Sequence, residues 1–356
     1  MPGMRGFSRT AIALALLTSL AGAAPPLPVH VGGRAIRYSD GSLGFGWPAT
    51  YFEGAFEGTG VSVAVETTTD WMQLSVDGTR RVLLTQPGAA SMTLSGLLPG
   101  AHIVRLEKLT ESQSGGGRFI GFYPVDGGRP LPAPSHPRRI EFIGDSHSVG
   151  YGDLSPTRDC STQEVHDRTD SQQAFGPLLA RHFDADYRVI AFSGFGVVRN
   201  YAGMDSGLSL PIIYRRMKPD EPARLEQDGE SWRPQLIVIN LGTNDFSTPL
   251  HAGERWPDDA RLRADYRATY VAFVRGLIAK QPQARLILIG YPSFQAEVSQ
   301  VAAILNRDAR RPVLTFVSGN LELTGCHFHP SLNDHRAMAA GLQDLLDRHS
   351  EVWSAR

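Results

Sequence analysis

Residues 140–153 read IEFIGDSHSVGYGD, an apolar run that stops at a Gly–Asp–Ser triplet. An apolar run without alternation needs cover on both faces, as a strand inside a parallel sheet has. Glycine followed by Asp and Ser then suits a turn that leads from strand to helix. On this reading Ser146 is either a nucleophile held on that turn or an ordinary loop serine. It is not the G-x-S-x-G elbow of many hydrolases, because Ser148 occupies the place of the second glycine.

The same pattern recurs downstream. YRVIAFS (187–193), QLIVINLG (235–242), RLILIGYP (285–292) and PVLTFVS (312–318) are further apolar runs, separated by stretches with helical periodicity. In the last of these stretches Met338, Leu342, Leu345 and Leu346 fall on one helical face. Five strand–helix repeats predict a three-layer α/β/α domain around a five-stranded parallel sheet. In such a fold the chemistry lies at the carboxyl ends of the strands.

Upstream the period changes to two. In GVSVAVETTTD, Val61, Val63 and Val65 share a face, and Asp77-Gly78 between two such runs predicts a tight hairpin. Residues 25–130 therefore read as a small all-β, jelly-roll-like sandwich. Pro130, Pro132, Pro134 and Pro137 mark a stiff connector, with 131–139 as its core and 140–356 as the second domain. The first residues, with Arg5 and Arg9, an apolar core from Ala11 to Leu20 and a small-residue exit at Ala21–Ala24, have the layout of a secretory signal peptide over residues 1–24. About ten apolar residues are too few to span a bilayer core of roughly 30 Å. The expected product is secreted or periplasmic. With a net charge of −1 and no basic run, neither nucleic acid nor a membrane surface is expected as a partner. A monomer is expected.

Each strand end carries a distinctive block: Gly144-Asp145-Ser146, then Ser193-Gly194-Phe195-Gly196, then Gly242-Thr243-Asn244-Asp245, and finally Cys326-His327-Phe328-His329-Pro330 before the last helix. Four such blocks in this order resemble the SGNH (GDSL-type) hydrolases over residues 140 to about 348. A β-sandwich ahead of that domain, with the phrases FSGFGVVRNY, VINLGTNDFS and GCHFHPSLNDH, is similar to family two of the carbohydrate esterases. The resemblance implies removal of acetyl groups from hydroxyls of plant polysaccharides such as xylan or glucomannan, with no cofactor and no metal.

The chemistry can be argued from the residues as well. A serine hydroxyl is a weak nucleophile until a base accepts its proton. His329 is the matching base for Ser146. The developing oxyanion needs fixed donors, for which the Ser146 N–H, the Asn244 amide and one glycine N–H are the candidates. Matching the blocks favours Gly196, with Gly194 as the alternative. Most SGNH enzymes carry an Asp three residues before the histidine, where this chain has Cys326. The resemblance implies a Ser–His dyad oriented by a backbone carbonyl, with Asp334 as the remaining side-chain acid. Cys160, after the nucleophile, and Cys326, beside the base, are expected to form a disulfide that ties the two loops together; two buried thiols are the bland alternative.

Phe328, Arg199, Asn200 and Tyr201 are candidate substrate contacts, with packing beneath the loops as the alternative; Tyr151 and Phe246 belong to the same group. Asp145 and Asp245 read as structural caps, and Glu111 as a residue that pins the sandwich to the second domain. His147 and a metal cluster of His327, His329 and His335 are weaker readings. Two rivals to the deacetylase stand: a lipid or thioester hydrolase, which needs a long apolar acyl channel, and a catalytically silent carbohydrate-binding protein.

Overall fold

The structure, a computed structural model, describes residues 25–226, 232–307 and 311–354. The expected signal peptide, 1–24, lies outside the described residues.

The N-terminal region contains β1 (Val29–Gly32), β2 (Ala35–Arg37), β3 (Leu43–Phe45), β4 (Tyr51–Thr67), β5 (Trp71–Val76), β6 (Thr79–Thr85), β7 (Gly88–Lys108), β8 (Gly117–Pro124) and β9 (Arg129–Leu131). All pair antiparallel within one sheet. The sandwich is thus a single sheet folded over itself. β4 pairs with β7 along its whole length, but its other edge changes partner from β1 and β9 to β8, across a register shift at Gly58–Gly60. A shift of this kind bends a strand. Phe52, before the bend, stacks on Phe119 of β8 at 4.3 Å between ring centroids. The alternating Val61, Val63 and Val65 are buried in the same core. Asp77 and Gly78 both have positive φ (53° and 71°), as a tight hairpin turn between β5 and β6 requires.

The expected connector is shorter than its prolines suggest. Arg129–Leu131 adds to the edge of β4, where Pro130 costs no interior ladder bond. Residues 138 and 139 already belong to the next strand.

That strand, β10 (Arg138–Gly144), begins a parallel sheet with β11 (Ala185–Ala191), β12 (Leu236–Asn240), β13 (Arg285–Gly290) and β14 (Leu314–Val317), in the order β11-β10-β12-β13-β14. Every residue of β12 is buried, which explains its unbroken apolar run. The helices are α1 (Ser146–Val149), α2 (Thr162–Asp167), α3 (Phe175–His182), α4 (Leu210–Ile213), α5 (Thr243–Phe246), α6 (Asp259–Lys280), α7 (Gln295–Leu305) and α8 (Leu332–Asp347). α3 packs against α8 and α6 against α7, the two outer layers. The strand order reverses between β10 and β12, the position where open α/β sheets leave a crevice at the strand ends. No helix among the described residues is long and apolar enough to cross a membrane.

The two regions share a buried seam. Trp47, Ala49 and Tyr51 of the N-terminal region pack into the core of the parallel sheet. Arg34, 1% exposed, reaches Glu141 on β10 (3.3 Å) and Glu226 (3.1 Å).

Candidate active site

β10 ends at Gly144, where the backbone lies so close to Ser148 that a Cβ would stand 2.0 Å from its Oγ. Asp145 then caps α1 by accepting the His147 N–H (3.1 Å), and Ser146 is the first residue of that short helix. Ser146 Oγ lies 2.8 Å from His329 Nε2. The other ring nitrogen, Nδ1, lies 2.9 Å from the carbonyl oxygen of Cys326. A carbonyl only accepts, so Nδ1 carries the hydrogen and Nε2 presents a lone pair to the serine hydroxyl. This is the tautomer a general base needs.

Asp334 is engaged elsewhere. Its carboxylate accepts from the N–H groups of Ser331, Glu322 and Leu323, which caps α8 and pins the preceding loop. Among the described residues the Cys326 carbonyl is the partner of His329 Nδ1.

The base loop is tightly fixed. Cys160 and Cys326 form a disulfide, with 5.6 Å between Cα atoms. Gly152 lies against it with φ +56°, and a Cβ there would meet Cys326 Cβ at 2.4 Å. Tyr151 stacks on His329 at 4.2 Å, and its hydroxyl donates to His327 Nδ1 (3.0 Å), while His327 Nε2 donates to the Cys160 carbonyl (2.8 Å). Burial lowers the His329 pKa to about 4, which keeps the ring neutral at pH 7. His327, His329 and His335 do not converge: His335 Nδ1 accepts the Phe175 N–H, in the core. The His147 ring is buried edge-on to Tyr291 and His329.

An open depression of about 230 Å³ lies over Ser146 and His329, walled by Tyr151, Ser193, Gly194, Tyr201, Met204, Asn244 and His327. The Asn244 Nδ2 donates to the Phe195 carbonyl (2.9 Å) and to Asp145 Oδ2 (3.2 Å). Burial pushes Asp145 up to about 7.

Several expected contacts do not face this depression. Gly196 is buried; its N–H donates to Asn200 Oδ1 (3.1 Å), and it packs against Asp245. Gly194, with φ +83°, is the glycine on the wall. Arg199 is also buried; its guanidinium is spent on Glu254 (2.6 Å), Thr248 and Pro249, so it braces the loop that follows α5. Asn200 likewise holds its own loop, through the Asp205 and Leu208 carbonyls. Both residues read as surface contacts because polar side chains near a motif look available until the loop is folded around them. Tyr201 does line the depression, whereas Phe328 projects outward, 63% exposed, with Arg158 over its face. Phe246 packs on Tyr266 and Phe294.

Asp245 gathers the N–H groups of Val197, Val198 and Arg199 at 2.9–3.0 Å. The N-terminal region also reaches this loop. Ser112 Oγ donates to the Ala191 carbonyl (2.7 Å), Gln113 Nε2 donates to the Ser193 carbonyl (2.8 Å), and Ser193 Oγ donates to Glu111. Sequence reading singled out Glu111 but missed Ser112 and Gln113, whose roles depend on contacts some 80 residues away, and Met204, which lines the depression.

Residues 31–134 match the family described as Carbohydrate esterase 2 N-terminal, and residues 142–349 match the GDSL-like Lipase/Acylhydrolase family. The chain is 43% identical to an acetylxylan esterase / glucomannan deacetylase of Cellvibrio japonicus, over 92% of this chain and 93% of that one. Among solved structures it is similar to a carbohydrate esterase described as having divergent catalytic and non-catalytic binding functions (41% identity, 92% and 100% of the two chains, TM-score 0.87). It is also similar to a family two carbohydrate esterase from Clostridium thermocellum in complex with cellohexaose (27% identity, 91% and 99% covered, TM-score 0.80).

Proposed function

The chain belongs to family two of the carbohydrate esterases, and from that premise we propose that it is an exported serine esterase that removes O-acetyl groups from xylan- or glucomannan-type polysaccharides. Ser146 Oγ attacks the acetyl carbonyl while His329 Nε2 accepts the hydroxyl proton. The tetrahedral oxyanion is held by the N–H groups of Ser146 and Gly194 and by the Asn244 amide, whose longer bond, to Asp145, is the one an oxyanion would share. Collapse expels the sugar alkoxide, which leaves with the proton from His329. Water, deprotonated by the same nitrogen, then attacks the acetyl-enzyme and releases acetate.

The observation that carries this reading is the 2.8 Å Ser146–His329 contact together with the Nδ1 anchor on the Cys326 carbonyl. An open site of about 230 Å³ walled largely by polar and aromatic residues suits a short acyl group on a bulky sugar chain. A long fatty acyl chain finds no enclosed apolar channel in it. The disulfide supports export, since such bonds persist in oxidising compartments.

Acetate release from acetylated xylan and glucomannan tests the proposal, with wild type beside Ser146→Ala and His329→Ala. Release that collapses in both variants is expected. Hydrolysis of long acyl esters alone would replace this reading with the lipid hydrolase, and silence on every ester would replace it with the binding protein.

A further inference from the structure

The end of the parallel sheet opposite Ser146 holds a second cluster of chemistry-bearing side chains. His30 on β1, Glu53 on β4 and His136 in the connector each offer one ligand atom, and these atoms all lie within 4.8 Å of one another. The cluster sits beside Asp184 and Asp186, where β11 begins, while Ser146 follows the far end of β10. A seven-residue strand at ~3.3 Å per residue separates the two sites by about 20 Å.

Three observations point to a cation. The donor set is two imidazoles and a carboxylate, the set that suits zinc. The distances His136 Nε2–Glu53 Oε2 (3.0 Å) and His30 Nε2–Asp186 Oδ2 (3.2 Å) are close to the ~3.3 Å edge of a tetrahedron with ~2.0–2.1 Å metal–ligand bonds. His30 Nε2 is buried and, despite its nearness to Asp186, forms no hydrogen bond. Charge points the same way. Glu53 and Glu107 share one guanidinium, Arg105 (2.8 and 2.7 Å), and Asp186 accepts the Tyr51 hydroxyl, an uncharged donor. With neutral histidines the pocket carries a surplus of negative charge that a divalent cation cancels.

We propose that His30, Glu53 and His136 form a zinc-binding site, with Asp186 in reach of the fourth position and Asp184, 3.2 Å from His136 Nδ1, orienting that ring. Zinc bound here staples β1 and β4 to the connector and to the start of β11, and so locks the seam between the two regions. Its effect is on stability and leaves ester turnover unchanged.

The test uses tag-free, full-length protein stripped with EDTA, supplied with Zn²⁺ and desalted. Expected are one retained zinc per chain and a melting temperature roughly 5 °C higher at a zinc concentration about 100-fold above Kd. Both are lost in His30→Ala and His136→Ala, while turnover of a small acetyl ester without zinc equals wild type. If either variant fails to fold, Co²⁺ titration of wild type decides, because a tetrahedral site gives intense visible absorption and a hydrated octahedral ion gives little. Protein that desalts free of zinc, variants that retain it, or a weak octahedral Co²⁺ spectrum would each overturn the site. His136 would then be an ion-pair partner of Glu53 and Asp184 alone, and His30 a neighbour of Asp186.

Discussion

Two loops flank Ser146 and are held by opposite means. The base loop, Gly325–Pro330, is fixed by a covalent bridge and by backbone carbonyls: Cys326 is tied to Cys160, and its carbonyl accepts from His329 Nδ1. The loop from Ser193 to Asn200 is fixed by side-chain carboxylates instead, with Asp245 gathering three N–H groups and Glu111 reaching in from the N-terminal region. The difference explains how a chain of this family lacks the usual aspartate before the histidine. A carbonyl sets the tautomer as well as a carboxylate does, but it lends no full negative charge to an imidazolium. In the proposed role of base, His329 therefore has position and neutrality to rely on, and the disulfide ties down its loop.

The largest effect expected at these loops is the loss of the dyad itself. Ser146→Ala and His329→Ala should each lower kcat ~10⁴-fold or more, with binding of acetylated oligosaccharide retained. Residual activity of His329→Ala within tenfold of wild type would show that the base loop is not the one that matters. Next, Asn244→Ala should lower kcat ~10²–10³-fold, equivalent to ~2.7–4 kcal/mol of barrier, with little change in KM.

The two anchoring modes can then be set against each other. The double variant Cys160→Ser/Cys326→Ser opens a loop of sequence separation 166 and should cost about 2–5 kcal/mol of stability by denaturant unfolding. Its activity at low temperature should survive better than its stability, because the Cys326 carbonyl remains. Asp245→Asn should cost about 1–3 kcal/mol, since an amide can accept only part of the three N–H bonds. A disulfide variant as stable as wild type would show that the covalent tie is redundant.

The smallest effect at neutral pH is also the sharpest probe of the base. Burial holds His329 down to about 4, so the ring stays neutral, and the enzyme active, as pH falls through 6.5. The acid limb of kcat/KM should therefore fall clearly below pH 6.5. A limb at the ordinary histidine value would mean that the ring is solvated in the working enzyme. The same shift acts on stability. The unfolded chain binds the proton first, so this contribution is present above pH 6.5 and is lost between 6.5 and about 4.

The fold was legible because it rests on periodicity. Unbroken apolar runs such as 236–240 announce strands covered on both faces, and alternating Val61, Val63 and Val65 announce a half-buried sheet. What alternation cannot reveal is that β4 bends and changes partners, so the sandwich proved to be one folded sheet. In the site, the residue types and their order singled out Ser146, Asn244, His329 and the cysteine pair as candidates, and the structure places them close together. That the Gly196 N–H is already bonded, to Asn200 Oδ1, was beyond sequence, because it depends on how the loop folds back on itself.

By itself, then, the sequence determined the strand succession and the residue types placed at each strand end, and it offered a single cysteine pair, all properties of residue type and spacing along the chain. Tertiary structure alone decided between the Cys326 carbonyl and Asp334 as the partner of His329, and alone decided that Arg199 is spent on the loop after α5 and Asn200 on its own loop, and that residues 111–113 brace the opposite wall. The bonds of Arg199 and of residues 111–113 join groups far apart in sequence, which meet only once the chain has packed; those of His329 and Asn200 span only three to eight residues and depend on how each loop is folded.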